Sequence, residues 1–160
     1  GEESYYIDLI SDYIENNVLS EADKEFNQTV VYGKEVDLGT IITKSSNVGT
    51  TQIALSLPPE TLPTFFGRFG FGKTTGSGFP GESAGRLQPP ERWRPVEIAT
   101  MSYGYGLTTT ALQLAHGYAT LASGGIARPV SFTRVDGPVA GERVIAKEIA
   151  EKLIPMMESG

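Results

Sequence analysis

From Asp37 onward the sequence predicts a mostly helical fold with one or two short strands, and three observations carry that expectation. Apolar residues recur at three- and four-residue spacing in several stretches, which is the spacing of one helix face. Strand-like texture is confined to short runs such as ARPVSFTRV. The stretch KTTGSGFPGESAGRLQPPERWRP holds too many Gly and Pro residues for regular structure.

Taken in order, the chain opens with SYYIDLISDYIENNVLS, where Tyr6, Leu9, Ile10, Tyr13 and Ile14 alternate with acids in the pattern of an amphipathic helix. Such a helix packs on a domain surface or docks on a partner. Ser20 with Asp23 resembles a capping box for a second short helix. QTVVYGKEV reads as a short strand with a turn at Gly33. LGTIITKSSN is an apolar stretch followed by a polar break, and NVGTTQIALSL a helix that stops before Pro58-Pro59, because proline disfavours helix in the residue ahead of it. ETLPTFFGRFGFG begins as a helix with Phe65, Phe66 and Phe69 on its apolar face and breaks at Gly70 and Gly72. The Gly/Pro-rich stretch then forms a loop of a length often put to functional use. In ALQLAHGYATLASGG, Leu112, Ala115, His116, Ala119 and Ala122 mark a helix face, with Thr109 or Thr110 as N-cap and Gly124-Gly125 as the stop. ARPVSFTRV follows as a strand. GERVIAKEIAEKLIPMMES ends the chain as an amphipathic helix with Ile149, Leu153, Met156 and Met157 on its apolar side.

The 160 residues fit the size of one domain. There is no cysteine, which excludes a disulfide framework and a thiolate metal site. No apolar run is long enough to span a bilayer, and no basic n-region with an apolar h-region opens the chain. A net charge of -6 argues against nucleic acid as a partner. That charge is unevenly spread. Nine acids against two bases put residues 1–35 at -7, which leaves the remainder at +1. The shift divides the chain into an acidic amphipathic segment, residues 1–35, and a second unit, residues 36–160.

His116 is the one histidine, and its place among Leu114, Ala115 and Tyr118 suits a packed structural side chain rather than a catalytic relay or metal ligand. No acids stand at metal-ligand spacing. Gly70-x-Gly72-Lys73-Thr74 lacks the spacing of a phosphate loop. Ser45-Ser46-Asn47 remains. Read alone, it is a helix N-cap, because Ser and Asn oxygens accept from orphan helix N–H groups.

Its surroundings add a second meaning. DLGTIITKSSNVGTTQIAL, FGRFGFGKTTGSGFPGE, ATMSYGYGLTTTALQLAHGYATLASGG and RPVSFTRVDGPVAGERV occur in this order over about three quarters of the chain. In them the sequence from Val36 to Ser159 resembles the transpeptidase domain of class B penicillin-binding proteins, most closely the division-septum D,D-transpeptidases of Gram-negative bacteria. The resemblance implies an α+β class with a β-lactamase-like fold, of which this is a mostly helical portion without most of the central antiparallel sheet. It also implies an acyl-transfer site of three motifs: a Ser-x-x-Lys bearing the nucleophile, a Ser-x-Asn, and a Lys-Thr-Gly or Lys-Ser-Gly on a strand.

Ser45 and Asn47 match the second motif. The resemblance assigns Ser45 to proton relay and Asn47 to binding the substrate amide and orienting the lysine. Tyr103 and Tyr105 of YGYG would line the cleft. No Ser-x-x-Lys and no Lys-[Ser/Thr]-Gly occurs in the 160 residues; Lys73-Thr74-Thr75-Gly76 is one residue too long. The expectation is therefore part of a cross-linking enzyme, inert on its own. Its ligands would be peptidoglycan stem peptides and β-lactams, with divisome proteins as further partners and no cofactor. By the same resemblance it would work on the periplasmic side of the bacterial inner membrane. The alternative is a catalytically dead relative or a divisome-binding module.

Overall fold

The computed structural model describes residues 38–159. The amphipathic helix, the second short helix and the strand expected within residues 1–35 lie outside the described residues. Those described form six α-helices and one two-stranded ribbon: α1 Leu38–Thr43, α2 Asn47–Ser56, α3 Thr61–Arg68, α4 Pro95–Met101, α5 Ala111–Ala122, β1 Ile126–Ala127, β2 Glu142–Arg143 and α6 Lys147–Glu158. The apolar stretch LGTIIT, to which the sequence assigned no element, is helical.

Two apolar clusters organise these elements. In the first, Ala54 of α2 meets Ile98 and Met101 of α4 and Trp93 of the loop before it, with Leu55, Leu62, Phe66, Leu87 and Leu107 around them. The Trp93 indole N–H donates to the Gln88 carbonyl at 2.8 Å, which satisfies the polar edge of an otherwise buried ring. In the second, Phe69 meets Val144, Ile145 and Ala150 beneath Phe71, Leu121 and Ala127. Arg68, at the end of α3, donates to the Val144 carbonyl and ties the clusters together. The first cluster fixes α2 against α4, and thereby the Ser-Ser-Asn turn against the tyrosine loop.

The α5 helix forms as expected and turns a different face inward. Its buried residues are Gln113, Gly117 and Thr120, while Ala115, Ala119 and Ala122 are exposed. The Phe71 ring packs against Gly117, 3.7 Å from where a Cβ would stand. Ala115 and Ala119 instead face a cavity of about 440 Å³ shared with Ile126, Pro129 and Val130. The Gly/Pro-rich stretch is ordered without regular structure apart from one 3-10 turn at Pro90–Arg92.

The strand expected over ARPVSFTRV is much shorter than its texture suggested. Only Ile126 and Ala127 pair, antiparallel with Arg143 and Glu142, and residues 128–135 pair with nothing among the described residues. Pro129 has no N–H to give a ladder. The last helix runs through Pro155 and buries Ala150, with Leu153 and Met156 half-buried and Ile149 52% exposed.

Candidate active site

The Ser-Ser-Asn turn divides its work among three side chains. The helix α1 ends in a Schellman motif: the Ser46 N–H bonds to the Ile41 carbonyl at 2.9 Å and the Ser45 N–H to the Ile42 carbonyl at 3.0 Å. The residue between Lys44 and Ser46 must then be left-handed, and Ser45 has φ 50°. Glycine is the usual occupant of that place; a serine there costs about 1 kcal/mol of backbone strain. Ser46 follows in extended conformation as the N-cap of α2, its Oγ accepting from the Gly49 N–H at 3.1 Å, and it is buried. Asn47 begins the helix, exposed.

Both readings of the tripeptide therefore apply, to different residues. Ser46 is the cap. The side chains of Ser45 and Asn47 point away from that duty, are exposed, and form no hydrogen bond with the described residues. Gly49 allows this turn to be tight: a Cβ there would stand 2.7 Å from Cγ1 of Ile41.

The tyrosine loop is carried by α4, which packs along α2. Its chain turns sharply after Met101, with the Gly104 N–H bonded to the Met101 carbonyl at 3.0 Å and the Tyr105 N–H to the Thr100 carbonyl at 3.0 Å. The Tyr103 and Tyr105 rings meet edge to face, 6.0 Å between centroids. Tyr105 is 67% exposed and Tyr103 half-buried. Burial first, and the neighbouring Tyr105 second, push the Tyr103 phenol above its ordinary value of 10.0, so it remains an O–H donor at neutral pH. One neutral hydroxyl and one open ring beside it can receive a partly apolar ligand with polar edges.

Four side chains that sequence reasoning passed over complete the arrangement. Thr51 and Ser102 link α2 to the end of α4. Within the Gly-rich loop, Glu82 accepts from the Thr75 N–H and hydroxyl, each at 2.7 Å, and from the Ser77 hydroxyl at 2.8 Å. Gln113 completes a capping box at the start of α5 with Thr110, one of the two expected N-caps. Only the last had a legible signal, the T-x-x-Q spacing ahead of an apolar run.

His116 is half-buried and donates from Nε2 to the Arg128 carbonyl at 2.7 Å, a structural bond. The cavity of about 440 Å³ lies beside it, between α5 and residues 126–131, and includes none of Ser45, Asn47, Tyr103 or Tyr105. Among the described residues no group of three or more His, Asp or Glu side chains is placed to hold a metal ion. No helix among them is long and apolar enough to cross a membrane.

Known proteins share this sequence and fold. The family model of the penicillin-binding protein transpeptidase domain matches residues 13–160, which takes in much of the acidic segment as well. Peptidoglycan D,D-transpeptidase FtsI of Escherichia coli K12 is 44% identical over 149 residues, 91% of this chain and 25% of that protein. The probable peptidoglycan D,D-transpeptidase PenA of Neisseria meningitidis serogroup A is 40% identical over 129 residues, 78% of this chain and 22% of that one. The chain thus spans about a quarter of the length of the curated relatives it matches. Among solved structures, the apo transpeptidase domain of Burkholderia pseudomallei penicillin-binding protein 3 superposes with a TM-score of 0.74 at 40% identity, covering 78% of this chain and 38% of that one.

Proposed function

The chain belongs to the penicillin-binding protein transpeptidase domain family, and from that premise we propose that it forms part of a peptidoglycan D,D-transpeptidase, with Ser45 and Asn47 in its catalytic cleft and Tyr103 and Tyr105 on the cleft wall. The reaction is acyl transfer. A serine Oγ attacks the carbonyl of a stem-peptide bond, the amine leaves with a proton, and a second peptide's amine displaces the serine. A β-lactam is attacked in the same way and stays attached through its opened ring.

The observation that carries this reading is the separation of roles at the turn. Ser46 alone caps α2, which leaves the Ser45 hydroxyl and the Asn47 carboxamide exposed. A hydroxyl both accepts and donates a proton, as a relay requires. A carboxamide offers donors and an acceptor without charge, which suits an amide substrate and a neighbouring lysine. The nucleophile and its lysine come from a Ser-x-x-Lys outside these 160 residues, and so does the Lys-[Ser/Thr]-Gly strand. The site would face the periplasm, where the peptide substrate is found.

A fluorescent penicillin tests the proposal. A complete transpeptidase carrying this segment takes up the label covalently; Ser45→Ala and Asn47→Ala each slow labelling by about a hundredfold or more, in the range of lost acid–base groups, and still unfold cooperatively. The 160-residue chain alone takes up no label. An unlabelled complete protein, or full-rate labelling of both variants, would refute the assignment.

A further inference from the structure

The glycine-rich loop between α3 and α4 is closed by one side chain from a third helix. Gln113, in the first turn of α5, is 2% exposed. Its Nε2 donates to the Lys73 carbonyl at 2.6 Å and to the Ala84 carbonyl at 2.7 Å, so both of its protons are used. Its Oε1 accepts from the Thr110 N–H at 2.8 Å, and its own N–H bonds to the Thr110 hydroxyl at 3.1 Å.

The bonds with Thr110 are all that the helix cap requires, and a glutamate would make them equally well. The two Nε2 bonds do something else. They reach residues 40 and 29 positions away and join the ends of the loop from Lys73 to Ala84. Immediately beyond, Arg86 and Thr108 exchange backbone hydrogen bonds at 2.8 and 3.0 Å. Gly85 lies against the same backbone, since a Cβ there would stand 2.3 Å from the Thr108 carbonyl oxygen. Thr108 is the far end of the tyrosine loop. The closing end of the glycine-rich loop is thus the backing on which the tyrosine loop rests.

We propose that Gln113 is a positioning residue for ligand recognition: by closing the glycine-rich loop it fixes the Arg86–Thr108 pair and holds Tyr105 beside Tyr103 on the wall of the cleft. The proposal rests on the transpeptidase reading above. Small displacements of a positioning element lower reaction rates far more than they lower stability.

The test compares a complete transpeptidase carrying this segment with its Gln113→Glu and Glu82→Gln variants. Gln113→Glu keeps the acceptor for the Thr110 N–H and turns both donors into carboxylate oxygen facing two carbonyls. Three quantities are read: the second-order rate constant for acylation by fluorescent penicillin, the fraction labelled at completion, and the rate of tryptic cleavage after Lys73 and Arg86. In Gln113→Glu the rate constant falls about tenfold or more, the labelled fraction stays at the wild-type level, and cleavage accelerates.

A role confined to folding gives the opposite split, a smaller labelled fraction that reacts at the wild-type rate, and would overturn the proposal. So would a wild-type rate constant with the loop open to trypsin. Should Gln113→Glu fail to fold, Glu82→Gln decides, because it loosens the same loop from within: a slower rate constant with full labelling supports the proposal and a wild-type rate constant overturns it. Absence of labelling in the unsubstituted enzyme refutes the transpeptidase reading itself, and is seen before any variant is compared.

Discussion

The hydroxyls of Thr51 and Ser102 lie 3.3 Å apart and join α2 to the end of α4, the two elements that carry the proposed site. Ser102 commits its own proton to the Ala99 carbonyl at 2.6 Å, so Thr51 is the donor. Thr51 is 4% exposed and stands one turn after Asn47 on the same side of α2. Ser102 immediately precedes Tyr103. A single directed hydrogen bond therefore sets the helix bearing Asn47 against the loop bearing the tyrosines.

Thr51→Val removes that bond with almost no change of shape. The expected cost is about 1 kcal/mol, the net worth of one such bond. Acylation of a complete transpeptidase should slow as well, because the two halves are no longer locked. Thr51→Ser keeps the donor and should retain most of both. Thermal unfolding and penicillin labelling measure the two effects. If the valine variant matched the parent in both, the link would be incidental.

Ser45 and Ser46 should respond in opposite directions. Ser46→Ala removes the α2 cap and should cost about 1 kcal/mol of stability. Ser45→Gly relieves a left-handed serine in a Schellman motif and should stabilise the fold by up to about 1 kcal/mol. Yet it deletes the hydroxyl proposed as the proton relay, so acylation should collapse in the more stable protein. A destabilised Ser45→Gly that kept full activity would show that the strained serine serves structure alone.

The glycine-rich loop should be sensitive to acid. The hydroxyl and then the N–H of Thr75, with Ser77 behind them, lower the Glu82 carboxyl below its ordinary value of 4.5. A lowered folded value means that this contribution is complete above about 4.5, the unfolded value, and is lost as pH falls through the lowered one. Hydrogen exchange at the Thr75 amide, followed from neutral pH downward, should show protection that fades in that window. Glu82→Gln should weaken protection at neutral pH and remove its acid dependence. Equal protection at every pH would contradict the assignment.

Much of this architecture was legible because it is local. Pro58-Pro59 ends α2, Thr110 caps α5, and Gly70 and Gly72 follow α3 as their chemistry requires. The proposed roles of Ser45 and Asn47 rest on the motifs around them in the sequence. What the sequence hid was set by tertiary contact. The buried face of α5 carries a glutamine, a glycine and a threonine, because Gln113 serves a loop dozens of residues away and Gly117 packs under Phe71. Hydrophobic spacing instead points to Ala115 and Ala119, which line an open cavity. ARPVSFTRV carries β-propensity, yet a strand needs a partner, and only its first residue, Ala127, with Ile126 before it, finds one. The split between Ser45 and Ser46 depends on backbone dihedrals that a pair of identical residues cannot disclose.

Gly49 is the position where packing and site geometry meet most closely. An alanine there would favour the helix by about 1 kcal/mol on intrinsic propensity. Its Cβ, however, would stand 2.7 to 2.9 Å from three side-chain atoms of Ile41, which is 8% exposed. Overpacking of that kind costs about 1–3 kcal/mol and is relieved by moving α1 away from α2. Ile41 is also the residue whose carbonyl accepts from the Ser46 N–H, so the displacement opens the turn that presents Ser45. Gly49→Ala should therefore destabilise the fold and slow acylation together. Adding Ile41→Ala removes all three clashing atoms. The double variant should then be more active than Gly49→Ala alone, with a coupling of about 1 kcal/mol or more between the sites. Additive losses in stability and in labelling rate would show that the close approach of α1 and α2 does not control the turn.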